Sequence, residues 1–223
     1  MIESPQKQAI RCAAFAIDDK SYVFGGLEET IDATNTLQCD DPETGKWSYR
    51  APMPSTPRWD AVAFVWKDKA YVAGGKDSDV FMWNTVYNDL WEYNPKTDSW
   101  RKMASLPEGI HSDGGYALRL GDKFFFPSFS LLGAQVYDPE LDSWSTFNTG
   151  MVQHGAPYSV PNYEVGLIIG TRGKGEIERY IPIAGDRFHI EKYNDPPLNG
   201  YKTVSSPNYA VVNNELYYGI GLF

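Results

Sequence analysis

The chain has 223 residues, with 20 basic and 29 acidic side chains and a net charge of −9. Aromatic residues make up 15% of it, and 20 glycines and 15 prolines interrupt it. This composition excludes a disordered chain, which lacks aromatic residues, and a collagen-like chain, which needs a Gly-X-Y period. Glycine and proline also disfavour a helical bundle, and the length fits one all-β domain.

The charge and the apolar pattern also bear on partners. The negative net charge opposes binding to nucleic acid and to anionic lipid, so neither is expected as a partner. No apolar run is long enough for a membrane span, and residues 1–8 lack the apolar region of a signal peptide. These features leave the compartment open and lean toward the cytoplasm. Cys12 and Cys39 are too few for a disulfide framework and are expected to be buried thiols.

A repeated unit is clearest at residues 58–107. Its first apolar run, 61–66, is followed by a polar turn and by a second run that ends in Gly74-Gly75. A third segment ends before Pro95, and a fourth begins near Trp100. Turn residues between short apolar runs predict four short strands.

Copies of this unit precede and follow it. In three units a tryptophan lies five residues after the turn proline, at Trp47, Trp100 and Trp144. Two weaker copies end their second run near Thr171 and Gly221. The equivalent positions are spaced 49, 54, 42 and 50 residues apart and are Gly26, Gly75, Phe129, Thr171 and Gly221. A period near fifty residues predicts a repeat architecture.

The units resemble kelch repeats, the blades of galactose-oxidase-like β-propellers. The family motif has a strand ending in Gly-Gly, a strand ending in Tyr-Asp-Pro or similar, and a tryptophan six residues after the aspartate. Units one and two carry nearly all of it, and unit three has Ser128-Phe129 in place of the glycines. Units four and five keep only the strand pair.

The resemblance implies an all-β propeller of four-stranded blades within one domain, residues 1–223. We expect about five blades, the last of them incomplete; the alternative is a fragment of a six- or seven-bladed ring, the common count in the family. A closed ring would be a monomer. The expected blades cover residues 9–54, 58–107, 111–148, 153–193 and 198–223.

Several motif residues are expected to be structural. Consecutive glycines let the backbone adopt a positive φ and approach its neighbour closely, and large aromatic residues fill the space between blades. These residues are Gly25, Gly26, Gly74, Gly75, Trp47, Trp100, Trp144, Tyr93 and Tyr137.

No catalytic residue, metal site or cofactor is predicted. The three histidines are 43 and 35 residues apart, without the spacing of metal ligands. Asp77-Ser78-Asp79 is too short for a calcium loop, and residues 171–175 lack the order of a phosphate-binding loop.

Binding is expected at loops around the channel, because loops on rigid scaffolds carry function. One set of positions precedes each inner strand and corresponds to pocket positions in peptide-binding kelch proteins: Arg11, Arg58, Trp59, Asp60, Asp113, His154, Ser205 and Ser206. Arginine, histidine and serine favour an acidic or phosphorylated segment, although the two aspartates dilute the charge. The alternative is that these residues only solvate a rim.

A second candidate is the longest insertion, residues 76–87, which contains Phe81, Met82 and Trp83. Adjacent large apolar residues in a loop are typical of a partner contact. The alternative is that this loop folds onto the next blade.

These observations predict a noncatalytic module that binds a partner protein or peptide through loops at a channel mouth. Two other functions stay open because kelch propellers perform them: a carbohydrate-active propeller resembling sialic-acid mutarotases or oxidases, and an actin-binding protein.

Overall fold

A computed structural model describes residues 8–77, 85–107, 117–126 and 134–147, and the backbone of strands at 156–159, 166–169, 176–183, 187–194, 208–212 and 215–219. Every regular element in these residues is a β-strand. Within the same ranges, no helix has the length and apolar character needed to cross a membrane.

The strands, in chain order, are β1 (Ala13–Ile17), β2 (Lys20–Phe24), β3 (Leu37–Asp41), β4 (Lys46–Arg50), β5 (Val62–Trp66), β6 (Lys69–Ala73), β7 (Leu90–Asn94), β8 (Ser99–Met103), β9 (Leu118–Leu120), β10 (Lys123–Phe126), β11 (Ala134–Asp138), β12 (Ser143–Phe147), β13 (Ala156–Ser159), β14 (Gly166–Ile169), β15 (Glu176–Ile183), β16 (Arg187–Asn194), β17 (Asn208–Val212) and β18 (Glu215–Gly219).

The strands form sheets in which each strand pairs with its neighbour in the sequence. β1–β4, β5–β8, β9–β12 and β13–β16 are four-stranded antiparallel sheets, and β17–β18 is two-stranded in the described residues. We call them blades one to five. The prediction of an all-β chain built from four-stranded units is therefore confirmed.

Burial shows how the blades stack. The alternating side chains of β5 are buried and half-buried in turn, because one face of the strand packs more tightly than the other. Four of the five residues of β6 are buried, since this strand has a blade on each side. A blade therefore has a forward face, against the blade that follows it, and a backward face, against the blade before it.

Two apolar clusters lie between the first three blades. In the first, Phe15, Tyr22 and Phe24 on the forward face of blade one pack against Val72 and Tyr93 on the backward face of blade two. The second cluster repeats the arrangement between blades two and three, where the ring centroids of Phe64 in blade two and Phe124 in blade three are 4.2 Å apart. Alternate side chains of each strand point to opposite faces of the blade, and those of neighbouring blades meet to form the core.

A recurrent set of polar contacts joins blade two to blade one and blade three to blade two. Asp98 accepts hydrogen bonds from the backbone N–H of Ala51 at 2.9 Å and from the Tyr93 hydroxyl at 2.7 Å. The indole Nε1 of Trp100 donates to the Ala51 carbonyl at 2.8 Å. We call this Tyr-Asp-Trp set, with its backbone partner, the clasp.

Blade three repeats the clasp. Asp142 accepts from the N–H of Ala104 at 2.9 Å and from Tyr137 at 2.8 Å, and Trp144 donates to the Ala104 carbonyl at 2.9 Å. Burial and the hydrogen bond to Asp142 raise the pKa of Tyr137, so this tyrosine stays a neutral donor. Blades two and three therefore share the clasp, whereas blade one has the same proline–tryptophan spacing but Gly45 at the aspartate position.

Candidate functional site

The candidate site lies at one end of the blades, where the chain enters the first strand and leaves the second. In an antiparallel pair these two points meet at the same end. Backbone bridges join Ile10 to Leu27 in blade one and Trp59 to Lys76 in blade two. We call the described residues at this end, 8–11, 27–35, 55–60 and 74–77, the mouth.

The mouth depends on glycines where the second strand ends. Gly25 has a φ of 65°, and a Cβ there would lie 2.6 Å from the carbonyl oxygen of Arg58. Gly75 has a φ of 93°, and its Cβ would lie 2.8 Å from the carbonyl oxygen of Trp59. Any side chain at these positions would both strain the backbone and push apart two segments of the mouth.

Arg58 lies inside the protein rather than in the channel opening, with 0% of its surface exposed. Its guanidinium donates to both carboxylate oxygens of Asp89, to the Gly74 carbonyl at 2.8 Å and to the Ser55 hydroxyl at 2.8 Å. Its Nε donates to the Thr56 carbonyl at 3.2 Å. Its charge therefore holds the loops of blade two together and is not available to a ligand.

Asp89 is the partner that makes this burial tolerable. Burial alone would raise the pKa of its carboxyl, but the Arg58 guanidinium and the donors Trp91 and Ser55 hold that pKa below its ordinary value. The pair is bidentate, which is the geometry that a planar guanidinium and a carboxylate form best.

Arg11 occupies a different environment, because its side chain is 51% exposed. Its Nε donates to Asp60 at 2.8 Å, its Nη2 contacts the second carboxylate oxygen, and its guanidinium lies 4.3 Å from the ring centroid of Trp59. Lys76 approaches the same ring at 5.2 Å, and the Trp59 indole donates to the Asp77 carbonyl. The Arg11–Asp60 ion pair therefore joins blade one to blade two at the centre of the described mouth. The two cations, Arg11 and Lys76, both lie over the Trp59 ring.

Two aliphatic side chains project from the mouth of blade one. Ile10 is 68% exposed and Ile31 is 44% exposed, whereas most large apolar residues in the described ranges are buried. Ile31 has a φ of 65°, a conformation that β-branched residues rarely adopt. The tight loop that holds it is closed by the hydrogen bond from its N–H to the Glu28 carbonyl at 2.9 Å.

Comparison with known proteins identifies the repeat. The family model described as "Kelch motif" matches residues 10–54 and 57–107. The chain contains kelch repeats. These two matched segments coincide with blades one and two, which carry the mouth.

Curated relatives match parts of this kelch chain. "Kelch-like protein 35" of Mus musculus is 34% identical over 113 residues, which are 50% of this chain and 18% of the relative. "Kelch-like protein terF" of Aspergillus terreus is 29% identical over 66% of this chain and 32% of its own length. An "F-box/kelch-repeat protein" of Arabidopsis thaliana is 24% identical over 96% of this chain and 48% of the relative. The chain thus spans less than half of the length of each of these relatives.

A solved structure shows the same fold. The "Structure of YjhT" superposes on 96% of this chain and 72% of its own, with a TM-score of 0.69 and 17% sequence identity. At this identity the match establishes the kelch-type propeller fold and carries no statement about activity.

Part of the predicted site lies outside the described residues. This applies to the channel positions Asp113, His154, Ser205 and Ser206 and to the inserted-loop residues Phe81, Met82 and Trp83. Of the kelch channel positions that are described, Arg11, Trp59 and Asp60 come together, and Arg58 is turned inward.

Sequence reasoning did not single out Asp89, Ile10 or Ile31. Asp89 lies four residues before Tyr93, just before the third strand of its kelch unit. Its neighbours in the sequence do not show whether this aspartate is a turn residue or the partner of a buried arginine. An exposed isoleucine looks like any strand residue in the sequence, since exposure depends on what packs over it. No cluster of three or more His, Cys, Asp or Glu that could hold a metal occurs in the ranges described above.

Proposed function

We propose that this chain is a noncatalytic kelch module that binds a partner protein through the mouth of blades one and two. Kelch repeats generally serve as protein-interaction modules, and the curated relatives are kelch-repeat proteins. The observation that carries the proposal is the pair of exposed isoleucines, Ile10 and Ile31, at the same end of blade one as the half-exposed Arg11. Trp59 is only 3% exposed, so it supports the Arg11 guanidinium from below and does not itself face a partner. Exposed apolar groups mark interaction surfaces, and arginine is enriched in protein interfaces.

The mouth is also rigid, which favours tight binding. The segment before β5 is fixed by the N–H of Arg58 to the Thr34 carbonyl at 3.0 Å and by the N–H of Asp60 to the Arg11 carbonyl at 3.1 Å. Because these backbone bonds join blade one to blade two, the loops lose little conformational entropy when a partner binds.

The charges at the mouth bear on the kind of partner. An acidic segment was expected because of Arg11, Arg58 and His154. The Arg58 charge is internal, the Arg11 charge is shared with Asp60, and exposed carboxylates lie beside Ile31 at Glu29 and Asp32. We therefore propose that the partner contributes mainly apolar contacts, with little attraction for an acidic segment at this part of the mouth.

Affinity capture with matched variants tests the proposal. The full chain and the double variant Ile10→Glu/Ile31→Glu would be used to capture partners from a source extract, followed by quantitative mass spectrometry. The matched control is Leu141→Glu, which alters an aliphatic residue that is 73% exposed in the turn between β11 and β12. We expect the double variant to lose a stoichiometric protein partner that the control retains.

The contrary result is equally clear. If the double variant melts at the temperature of the unmodified chain and captures the same proteins in the same amounts, the mouth of blades one and two is not the binding surface. A saccharide that raises the melting temperature of the chain, without any captured protein, would favour the carbohydrate-active alternative.

A further inference from the structure

A short hairpin at the mouth of blade one, residues 27–33, projects from the connection between β2 and β3. Its base is fixed, because a backbone bridge joins Leu27 to Ala33. Leu27 is 4% exposed, whereas residues 29–32 are all exposed. The hairpin therefore has a buried, hydrogen-bonded base and a tip that faces solvent.

Two backbone hydrogen bonds set the conformation of the tip. The N–H of Glu28 donates to the Asp32 carbonyl at 3.0 Å, and the N–H of Ile31 donates to the Glu28 carbonyl at 2.9 Å. The second bond closes a four-residue turn, and the residue that ends such a turn in a hairpin often has a left-handed conformation that suits glycine or asparagine. The φ of 65° at Ile31 is therefore imposed by the hairpin.

Isoleucine is unusual at this position. Nine described residues other than glycine have a positive φ; six of them are aspartates, and Ile31 is the single β-branched residue among the nine. Aspartate accepts this conformation because its short polar side chain can form local hydrogen bonds, whereas a β-branched side chain crowds the neighbouring carbonyl. The exposed tip thus carries a residue that raises the energy of the free chain, and such residues concentrate at functional sites.

The charges around Ile31 indicate what kind of surface the tip fits. Glu29 and Asp32 are exposed on either side of it, and residues 27–35 contain three acidic residues but no lysine or arginine. An apolar side chain flanked by carboxylates is complementary to an apolar pocket with a basic rim. The same carboxylates would oppose an acidic or purely apolar surface, since they would be repelled by the first and desolvated without a partner by the second.

We propose that the 27–33 hairpin inserts into a partner protein, with Ile31 in an apolar pocket whose rim carries lysine or arginine. This inference rests on the proposed function, because it specifies which part of the mouth enters the partner and what the partner surface contains. The hairpin suits this role, since its backbone hydrogen bonds are already formed in the free chain and insertion orders few additional groups. The pocket offsets the conformational cost of isoleucine in the complex.

Three substitutions at position 31 separate the side chain from its backbone conformation. Ile31→Thr and Ile31→Asn both remove the aliphatic group, but only asparagine tolerates a positive φ, so the Ile31→Asn variant should unfold at a urea midpoint about 0.3–0.5 M higher than the Ile31→Thr variant. Both variants should lose the stoichiometric protein that the unmodified chain captures from the source extract, and Ile31→Val should retain it. Equal midpoints, or capture by Ile31→Asn but not by Ile31→Thr, would contradict the proposal.

Reversal of the tip charges tests the basic rim. Glu29→Lys/Asp32→Lys should reduce the captured amount of that protein by about tenfold or more, because like charges would face each other across the rim. The matched control is Glu43→Lys/Asp122→Lys, which makes the same change in net charge at two exposed acidic residues in the turns at the other end of the blades. Equal capture by the two double variants would overturn the basic rim.

Photocrosslinking identifies the surface that the tip meets and separates this inference from the proposed function. p-Benzoylphenylalanine would replace Ile31 in the full chain, or Ile10 in a parallel sample, and peptides crosslinked in the source extract would be sequenced by mass spectrometry. We expect adducts from position 31 on apolar residues of one protein, with lysine or arginine close by. Adducts from position 10 but not from position 31 would overturn the hairpin insertion and leave binding at the mouth intact. The absence of adducts from both positions would contradict both proposals.

Discussion

Blade one and blade two have the same strand order and register, but they differ at several equivalent positions. Blade two has charged side chains that form ion pairs within the blade, whereas blade one has small or uncharged side chains there. Arg58, Asp89 and Glu92 of blade two correspond to Ala9, Thr36 and Cys39 of blade one. Blade two also has the complete clasp, whereas blade one has Asp40 and Gly45 at the tyrosine and aspartate positions.

The difference shows that the later blade specifies each described joint. Tyr93, Asp98 and Trp100 of blade two all contact backbone or rings of blade one, and blade one contributes only main-chain groups to the clasp. A repeat unit can therefore lose its clasp residues without weakening the joint to the blade that follows it.

The largest effect is expected from the buried arginine. Arg58→Ala should destabilise the chain by about 3–5 kcal/mol, because it leaves the Asp89 carboxylate buried without its partner. Arg11→Ala should cost less, about 1 kcal/mol, because the Arg11 guanidinium is 51% exposed and solvent replaces part of what it gives to Asp60, whereas Arg58 is fully buried. Urea unfolding of both variants measures the contrast. Similar losses would show that the two arginines have equivalent structural roles.

The second largest effect is expected from the tryptophans on the fourth strands, Trp100 in blade two and Trp47 in blade one. Trp100→Ala should cost about 3–5 kcal/mol, since it empties a packed joint and leaves the Ala51 carbonyl without its donor. Trp47→Ala should cost less, because blade one has Asp40 in place of Tyr93, whose ring lies 4.9 Å from that of Trp100. Thermal unfolding at equal protein concentration compares the two, and an equal loss would show that the neighbouring tyrosine ring adds little to the contribution of the tryptophan.

The contribution of the clasp aspartate's carboxylate can be measured separately from the cost of its positive φ. Asp98 has a φ of 47°, which glycine adopts without strain, so Asp98→Gly removes the carboxylate bonded to Ala51 and Tyr93 and otherwise adds only the greater freedom of a glycine in the unfolded chain. We expect a loss of about 1.5–3 kcal/mol, typical of hydrogen bonds to a charged group. The reverse change, Gly45→Asp, should lower stability slightly in the same unfolding assay, because a φ of 65° favours glycine over any residue with a Cβ. A gain in stability would contradict this expectation.

Acid sensitivity should separate the two blades by a smaller amount. Burial alone would raise the pKa of Glu92, but donors from Tyr71, Lys69 and Arg101 hold it below the ordinary 4.5. A depressed folded-state pKa adds stability above pH 4.5 that is lost as the pH falls through the folded value. Glu92→Gln should therefore flatten the fall in stability between about pH 5 and pH 3, measured by unfolding at several pH values.

Cys39 provides the matched position in blade one. Cys39→Ser should leave the slope below pH 5 unchanged, because this substitution removes no carboxylate. If Glu92→Gln gives the same slope as the unmodified chain, then Glu92 does not supply the acid dependence.

The fold could be read from the sequence because its signal is local and repeated. The spacing between proline and tryptophan and the double glycines predicted strand ends and turns, and the kelch-type propeller fold is confirmed. The mouth was less predictable. Arg58 and Arg11 look alike as arginines that precede an inner strand, but only the position of Asp89, 31 residues later in the chain, decides which of them is buried.

The sequence alone thus determined the blade pattern, since strand period, turn chemistry and glycine positions act over a few residues. Tertiary structure decided which charges face solvent, because a guanidinium is buried only where a carboxylate and several carbonyl groups from distant segments converge on it. It also decided which apolar side chains stay exposed. Ile10 and Phe15 are both apolar residues near the first strand, and only the packing of blade two on blade one buries the second of them.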